Sequence, residues 1–260
     1  MIYQTNYLKR ISYLIHHKIY EYDISKANIN ILLYKGVIDI GEYNRIYNLS
    51  RIDRQKEIGL MILKDRNIEK IIHSGIIEMR EKFLLSNNIS DDDILSCKND
   101  AIFVIDKVPL YTRFENVEFK LKNTYTSFYK TNNYEFYYLN DSVNGDKLDV
   151  KGINDEKLLL HEEYMIDFCK ALFNTVDYNI NDAVLMIRNF YNQFINNQLD
   201  IGYYRNFDPD SLFKITIMRN VYDVESITQN EMMYINKDCN INFIRELWRI
   251  ITFIQFRNKS

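Results

Sequence analysis

The chain has 260 residues, of which 47% are hydrophobic, 14% aromatic and 27% charged, and its formal net charge at pH 7 is −3. This apolar content excludes a disordered chain. The near-balanced charge excludes a uniformly basic surface, so any binding of phosphate must come from local clusters of Lys and Arg. No stretch approaches the ~20 uncharged apolar residues that span a bilayer, so no membrane partner is expected.

The cysteines indicate the cellular compartment, and the amino-acid composition indicates the type of genome. Cys97, Cys169 and Cys239 are far apart and form no CxxC pair, which favours neither a disulfide framework nor a zinc site. The amino-terminal residues are too interrupted by charge to resemble a signal peptide. The abundance of Ile, Asn, Lys and Tyr is typical of AT-rich genomes, as in low-GC bacteria and their phages. We therefore expect a cytoplasmic protein, located in the bacterial host if a phage encodes it.

A strand followed by helices is predicted for the first third of the chain. Residues 19–24 predict a strand, and residues 27–38 predict a short helix that closes near Gly36. Asp23 therefore lies at a junction between a strand and a helix. Residues 40–85 contain no Pro and repeat Ile and Leu at three- and four-residue spacing, which predicts one or two long amphipathic helices.

Two hairpins are predicted next. The acidic residues 90–93 predict a turn, and two apolar runs then flank Lys98, Asn99 and Asp100. This arrangement predicts a hairpin with Asn-Asp at its polar tip. Residues 117–139 alternate large and polar side chains around an Asn-Asn pair, which predicts a second hairpin.

The remainder of the chain predicts mostly helices. A polar loop over residues 140–152 contains the boundary between the β-rich part and this remainder. Helical periodicity covers residues 156–174, 181–198 and 241–257, and a loop surrounds Pro209. The predicted fold class is therefore α+β.

The two aspartates that adjoin predicted strands are candidates for metal chemistry. A two-metal phosphoryl-transfer site needs carboxylates from a rigid backbone that reach two ions held about 3.5–4 Å apart. Asp23 and Asp100 satisfy the local part of that requirement. Aspartates at strand ends are more often solvated turn residues, so the local pattern leaves both alternatives open.

The residues around these aspartates resemble two motifs of family B DNA polymerases. YDISKANINIL, residues 22–32, resembles the first palm motif, in which an Asp precedes a Ser-Leu-Tyr-Pro-like turn. SCKNDAIFV, residues 96–104, resembles the Tyr-Gly-Asp-Thr-Asp-Ser-x-Phe-Val motif. The resemblance implies that Asp23 and Asp100 are catalytic and hold Mg²⁺ or Mn²⁺. Lys98 replaces the first Asp of the second motif.

Two later segments continue the resemblance in the same order. Residues 118–139 resemble the family's strand pair of the form Leu-Glu-x-Glu-Lys-x-Tyr followed by Lys-Lys-x-Tyr, which implies that Lys130 and Tyr134 lie along the primer strand. The segment DKLDVKGIND then resembles the Lys-Gly entry to the thumb, at Lys151 and Gly152. These four residues are the expected nucleic-acid-binding positions.

The resemblance also indicates where a nucleotide would bind. The family's fingers helix holds the triphosphate with Lys and Arg, and the corresponding region here offers Arg51, Arg54 and Lys56. A solvated helix face explains these three charges equally well. Asn28 replaces the Tyr that usually screens out the ribose 2′-hydroxyl, so priming or RNA synthesis becomes conceivable.

The implied architecture is a polymerase-type palm with an antiparallel sheet, reduced helical fingers and a helical thumb. The predicted ranges are residues 1–39 and 86–150 for the palm, 40–85 for the fingers and 151–260 for the thumb. The expected function is a template-dependent nucleotidyltransferase that acts on a primer-template and nucleoside triphosphates. The alternatives are a catalytically degenerate structural or interaction protein derived from a polymerase, and one subunit of a split phage polymerase that partners another subunit.

Overall fold

The protein has an α+β fold built on antiparallel strands, as predicted. The computed structural model describes residues 6–11, 13–130, 134–139, 141, 143, 145, 147–151, 170–172, 180–199, 214–217 and 220–223. The chain divides into two units, one of residues 1–10 and 17–124 and the other of residues 11–16 and 125–260.

The sheet of the first unit brings distant segments side by side. Its strands are β1 (Tyr7–Leu8), β2 (Tyr13–Ile24, from residue 17 onwards), β3 (Ile94–Lys98), β4 (Ala101–Ile105), β5 (Arg113–Phe114) and β6 (Val117–Lys130, up to residue 124). Their order is β1-β3-β4-β2-β6, and β5 pairs with β6. The predicted hairpin is confirmed as β3 and β4, which pair antiparallel. The predicted first strand is confirmed at its end but begins at Tyr13 rather than residue 19.

Four α-helices and a short 3₁₀-helix complete the first unit. They are α1 (Ala27–Tyr34), α2 (Ile40–Tyr47), α3 (Arg51–Lys64), α4 (Asn67–Ser86) and the 3₁₀-helix Asp91–Asp93. The predicted short helix is confirmed as α1. The region expected to form one or two helices forms three, because Ser50 starts α3 by accepting a hydrogen bond from the Asp53 N–H. The acidic run is the 3₁₀-helix and carries a capping box between Ser90 and Asp93.

Helix α4 packs one face against the sheet and against α1. Its buried residues Ile68, Ile72, Met79 and Phe83 recur at helical spacing. At Gly75 a Cβ atom would collide with the Ile31 side chain, so the glycine permits the close approach of α1 to α4. This packing fixes the orientation of α1, whose first turn adjoins Asp23.

The second unit contains a Tyr-rich sheet and further elements. These are the end of β6, β7 (Glu135–Leu139), β8 (Lys147–Lys151), α5 (Ile180–Ile195), β9 (Lys214–Ile217) and β10 (Asn220–Asp223). The predicted second hairpin is confirmed, because β6 pairs antiparallel with β7. Helix α5 lies where residues 181–198 predicted a helix.

Three strands of the second unit were not predicted from the sequence. β8, which pairs with β7, lies in the segment predicted as a polar loop, because Leu148 and Val150 alternate with polar residues and are buried. β9 and β10 form a hairpin within the region expected to be helical. The predicted helices 156–174 and 241–257 lie outside the described residues except for 170–172, which are helical. The loop around Pro209 also lies outside them.

No helix within the described ranges is both long and apolar enough to cross a membrane. The cytoplasmic location and the assignment of palm, fingers and thumb stay predictions.

Candidate active site

The register of β2 against β4 brings the two candidate aspartates together. Asp23 pairs with Ala101, so it lies beside the hairpin tip that carries Asp100. The Ile24 N–H donates a hydrogen bond to the Asp100 carbonyl oxygen over 3.2 Å. Asn99 has a φ of 49°, a left-handed conformation that Asn tolerates better than most residues. Backbone contacts therefore hold both carboxylates at the same end of neighbouring interior strands.

The two carboxylates face each other in a partly buried environment. The pKa of Asp23 is raised from 3.8 to about 6, and burial is the largest cause. The charge of Asp100 and a hydrogen bond between the two carboxyl groups also raise it, whereas Lys122 lowers it. The Asp23 Oδ1 atom is buried and has no hydrogen-bond partner among the described residues. A bound cation would relieve the repulsion between the two ionised carboxylates and give the Asp23 Oδ1 atom a partner.

A buried cation lies behind the Asp100 hairpin. Arg80, on α4, is 2% exposed, and its charge interacts with those of Cys97 and Asp100. Burial lowers the pKa of the Arg80 guanidinium. Cys97 is fully buried on β3, and burial raises the pKa of its thiol to about 11. Cys97 is therefore a thiol of the core.

The turn from β2 into α1 is held by Asn30. The Asn30 side chain donates to the Ser25 carbonyl oxygen over 2.5 Å and accepts from the Tyr43 hydroxyl over 2.8 Å. Asn116 donates to the Asn30 carbonyl oxygen over 2.7 Å. Because Asn30 is 4% exposed, these hydrogen bonds form out of competition with water. The turn is therefore a rigid support for Asp23.

The first turn of α1 lines an open cleft of about 350 Å³ beside the aspartates. Lys26, in a left-handed conformation, precedes the helix and provides no side-chain cap, and the first turn carries no acidic residue. Ala27, Asn28 and Ile29 line the cleft. An uncapped helix amino terminus carries partial positive charge and donates hydrogen bonds to anions.

One face of α3 forms the opposite part of the cleft lining. Arg51, Arg54, Gln55 and Ile58 line it, and their spacing of three, four and seven residues places them on the same side of a helix. Ile58 is buried and anchors this face in the core between α1, α2 and α4. The basic residues Arg51 and Arg54 thus face the cleft as part of a packed helix.

The basic side chains around the cleft differ in how many hydrogen bonds and other contacts they make with the protein. The Arg54 guanidinium donates to the Tyr47 and Leu49 carbonyl oxygens over 3.4 and 3.2 Å. The Lys26 ammonium donates to the Tyr47 carbonyl oxygen over 3.1 Å and lies 3.3 Å from the centroid of the Tyr47 ring. The Arg51 side chain makes no hydrogen bond or ion pair within the described part of the chain. Arg51 is therefore the cation most available to a ligand.

Lys122, on β6, also lines the cleft. Its ammonium lies 3.4 Å from the Glu21 carboxylate and 3.8 Å from Asp23 Oδ2. Burial lowers the pKa of Lys122, but the charges of Glu21 and Asp23 outweigh this effect and raise it overall. Lys122 is therefore a permanent positive charge next to the two aspartates.

The structure brings five of the predicted site residues to one cleft. These are Asp23, Asn28, Arg51, Arg54 and Asp100. Lys56 is not among the described residues that line it; its side chain is exposed, and its ammonium lies 3.9 Å from Asp53. The reason is the helical phase of α3, which turns position 56 away from the face shared by Arg51 and Arg54.

The predicted primer-binding residues lie in the second unit. Lys130 pairs with Glu135 across β6 and β7, and Glu135 pairs with Lys151 on β8, so the two lysines lie in one row across three strands. The Tyr134 ring packs edge-on against Phe136, with 6.2 Å between the centroids. Gly152 lies outside the described residues.

The comparisons with known proteins give a family for the chain. The model of the family described as "Bacteriophage PBS1 gene 130 protein" matches residues 1–253. The chain belongs to the bacteriophage PBS1 gene 130 protein family. This membership supports the phage origin expected from the composition. No curated protein matches the chain. Because the PBS1 gene 130 family is named after a phage gene and not after a reaction, the function has to be inferred from the site.

The donor atoms of the site fit a divalent cation. Carboxylate oxygens are the ligands that Mg²⁺ and Mn²⁺ prefer, and the unpartnered Asp23 Oδ1 faces no competing donor within the described residues. The described ranges of this PBS1 gene 130 family member hold no group of three or more His, Cys, Asp or Glu placed around one ion. Asp23 and Asp100 are thus the residues that would hold a cation.

Two of the cleft's cations, Lys26 and Lys122, were not predicted from the sequence. Lys26 follows Asp23 by three positions, so its closeness to the end of the strand could have indicated a place beside Asp23. Lys122 stands in an alternating strand, and its position depends on the pairing of β2 with β6. No local pattern indicates that pairing, because strand order in a sheet is set by contacts between distant segments.

Proposed function

We propose that this phage protein is a template-dependent nucleotidyltransferase of the palm type found in family B DNA polymerases. The observation that carries the proposal is the shared cleft, which is lined by Asp23 and Asp100 and also by Arg51 and Arg54. Carboxylates for a cation and donors for phosphate within one open cleft are the two requirements of phosphoryl transfer.

Each group of the cleft has a role in this proposal. Arg51, Arg54 and the first turn of α1 bind the phosphates of a nucleoside triphosphate. Asp23 and Asp100 hold Mg²⁺ or Mn²⁺, which when bound supplies positive charge that stabilises the phosphoryl-transfer transition state. The primer 3′-oxygen attacks the α-phosphorus and forms the new P–O bond, while the bond to pyrophosphate breaks. Pyrophosphate leaves with that electron pair, and the hydroxyl proton passes to water.

The remaining roles come from the resemblance. Asn28, which lines the cleft, contacts the sugar of the incoming nucleotide and leaves room for a 2′-hydroxyl. Lys130, Tyr134, Lys151 and Gly152 bind the primer-template. The location in the host cytoplasm follows from the same proposal, because primer-template and nucleotides are found there.

Primer extension tests the proposal directly. The wild-type chain is incubated with Mg²⁺ or Mn²⁺, DNA or RNA templates, and deoxy- or ribonucleotides supplied separately. We expect incorporation that EDTA stops and that Asp23→Ala abolishes, whereas Asp92→Ala, at a fully exposed carboxylate in the 3₁₀-helix, retains it. The sugar that is incorporated reports the selectivity at Asn28. A folded wild-type protein without incorporation on any template contradicts the proposal.

A polymerase-derived protein without catalytic activity is the second candidate. Two observations favour it: Lys98 stands in place of the family's first Asp in the hairpin motif, and the described residues offer no third ligand beside Asp23 and Asp100. Such a protein acts as a structural or interaction subunit. One subunit of a split phage polymerase, which needs its partner for activity, is a separate alternative. Inactivity of the pure chain, together with a second polypeptide that co-purifies and restores incorporation, would support the split enzyme.

The two arginines of the cleft are expected to respond differently to substitution. Arg51→Ala should raise the KM for nucleotide about 10- to 100-fold, because it removes a charged phosphate contact, and should leave thermal stability unchanged. Arg54→Ala should raise KM and also lower stability, since Arg54 bonds the end of α2. Steady-state kinetics and thermal melts measure both effects, with Lys56→Ala as the control on the same helix. An unchanged KM for Arg51→Ala would contradict the assigned role.

A further inference from the structure

Lys122 gives the aspartate centre a positive charge of its own. The Lys122 ammonium lies within 4 Å of two carboxylates, at 3.4 Å from Glu21 and 3.8 Å from Asp23 Oδ2. A metal ion that bound Asp23 Oδ2 would have to displace this ammonium or share the oxygen with it. The charge of Lys122 therefore occupies one side of the Asp23 carboxylate.

Glu21 is held away from any role as a metal ligand. Its side chain is 3% exposed, its Oε1 atom faces Lys122, and its Oε2 atom accepts a hydrogen bond from the Asn123 side chain over 2.6 Å. Both oxygens are thus engaged by neighbouring donors. Breaking either contact would leave a buried negative charge uncompensated, which is unfavourable. Glu21 and Lys122 therefore form a fixed pair beside the site.

The other oxygen of the Asp23 carboxylate, Oδ1, differs from Oδ2 in its surroundings. Asp23 Oδ1 is buried and has no partner among the described residues, and the Asp100 carboxyl interacts with the Asp23 carboxyl. The acidic groups Glu21, Asp23 and Asp100 carry three negative charges when ionised. Lys122 lies beside two of them, and the charge of Arg80 interacts with that of Asp100. These two positive charges leave less negative charge to attract a second divalent ion.

We propose that Lys122 takes the place of one of the two cations, so that the centre binds a single divalent cation at Asp23 and Asp100. This inference rests on the proposed function, since it concerns the cation of the same site. The Lys122 ammonium lies 3.8 Å from Asp23 Oδ2, so an ion bound to that oxygen would lie close to the ammonium charge. A second divalent ion at that distance would meet the repulsion of the ammonium.

Counting bound Mn²⁺ on the purified full chain, in the absence of nucleotide, tests this role without reference to activity. Electron paramagnetic resonance of free Mn²⁺ gives the number of ions and their dissociation constant. We expect one ion in the wild type. Lys122→Gln, which keeps a donor toward Glu21, should bind Mn²⁺ about tenfold more tightly or take up a second ion, because a nearby positive charge is lost.

Two further variants make the comparison specific. Lys122→Arg keeps the charge and should behave as the wild type. Lys120→Gln is the matched control, because Lys120 lies two positions away on the same strand, is exposed and pairs with Glu118 over 3.4 Å. Thermal melts establish that each variant is folded, and Lys122→Met replaces Lys122→Gln if the latter does not fold.

The possible outcomes separate this inference from the proposed function. Two ions in the wild type, or equal affinity in the wild type and in Lys122→Gln, overturn the role of Lys122 and leave the nucleotidyltransferase proposal standing. No Mn²⁺ binding by any folded variant overturns this inference, whereas the nucleotidyltransferase proposal is overturned only by the absence of incorporation in primer extension. One ion in the wild type with tighter or additional binding in Lys122→Gln supports the inference.

Discussion

Asp100→Asn should reduce metal-dependent nucleotide incorporation by about 1,000-fold or more, because a cation bound by carboxylates contributes several kcal/mol to the phosphoryl-transfer transition state. The substitution keeps the shape of the side chain and the hydrogen bond from the Ile24 N–H to the Asp100 carbonyl oxygen. The loss would therefore report the missing charge and not a displaced hairpin. Single-turnover incorporation with saturating Mg²⁺ measures it.

The same variant should be more stable than the wild type in the absence of metal. The charge of Asp100 raises the pKa of Asp23, which means that the folded state brings two repelling carboxylates together. Removing one charge relieves this repulsion, as is common where a site is built for function and not for stability. Urea unfolding in EDTA should show a higher midpoint for Asp100→Asn.

The control for Asp100→Asn is a substitution at a carboxylate outside the cleft. Asp92→Asn changes a fully exposed carboxylate near the same hairpin and should alter neither activity nor stability. Incorporation by Asp100→Asn within tenfold of the wild type would exclude Asp100 from the catalytic centre. The opposite signs of the two expected effects separate a functional residue from a structural one, whose loss would lower both quantities.

The positions of Asp23 at a strand end and of Asp100 at a hairpin tip were predicted from the sequence because local signals define both. Asp23 follows an alternating β-prone run and precedes a helical pattern, and Asn99 with Asp100 interrupts two apolar runs. Each signal depends on neighbours within a few positions. The pairing of β2 with β4, which brings the two carboxylates together, was implied only by the resemblance and not by the local pattern.

The elements that were not predicted from the sequence depend on contacts between distant segments or on weak local signals for the start and end of a helix or strand. The boundary between α2 and α3 lies at Ser50, which caps α3 by accepting a hydrogen bond from the Asp53 N–H. The Ile and Leu periodicity continues across this position, so no helix boundary was predicted there. β8 reads as a polar loop, since only Leu148 and Val150 are buried within it. The position of Lys122 beside Asp23 required knowing that β6 adjoins β2. Helical phase, in contrast, could have separated Lys56 from Arg51 and Arg54.

Stability without metal is expected to depend on pH through Asp23. The pKa of Asp23 is about 6 in the folded protein, against 3.8 for an unperturbed Asp. The folded state therefore binds this proton more tightly than the unfolded chain does. The corresponding stability is fully present below pH 3.8 and is lost as the pH rises through about 6. A shift of this size corresponds to about 1–3 kcal/mol, allowing for screening of a side chain that is 32% exposed.

Comparison of the wild type with Asp23→Asn isolates this contribution from other groups. Glu78, whose pKa is lowered to about 2 by hydrogen bonds from Lys35 and Tyr34, produces the opposite trend below pH 4.5, since its stabilisation is lost as it becomes protonated. That trend is common to both proteins and cancels in the difference. Urea unfolding in EDTA between pH 4 and pH 8 should show Asp23→Asn gaining stability relative to the wild type as the pH rises, with most of the gain complete by pH 7. A difference that does not change with pH would mean that Asp23 is not a strained carboxylate, and the electrostatic basis for a cation at this site would be lost.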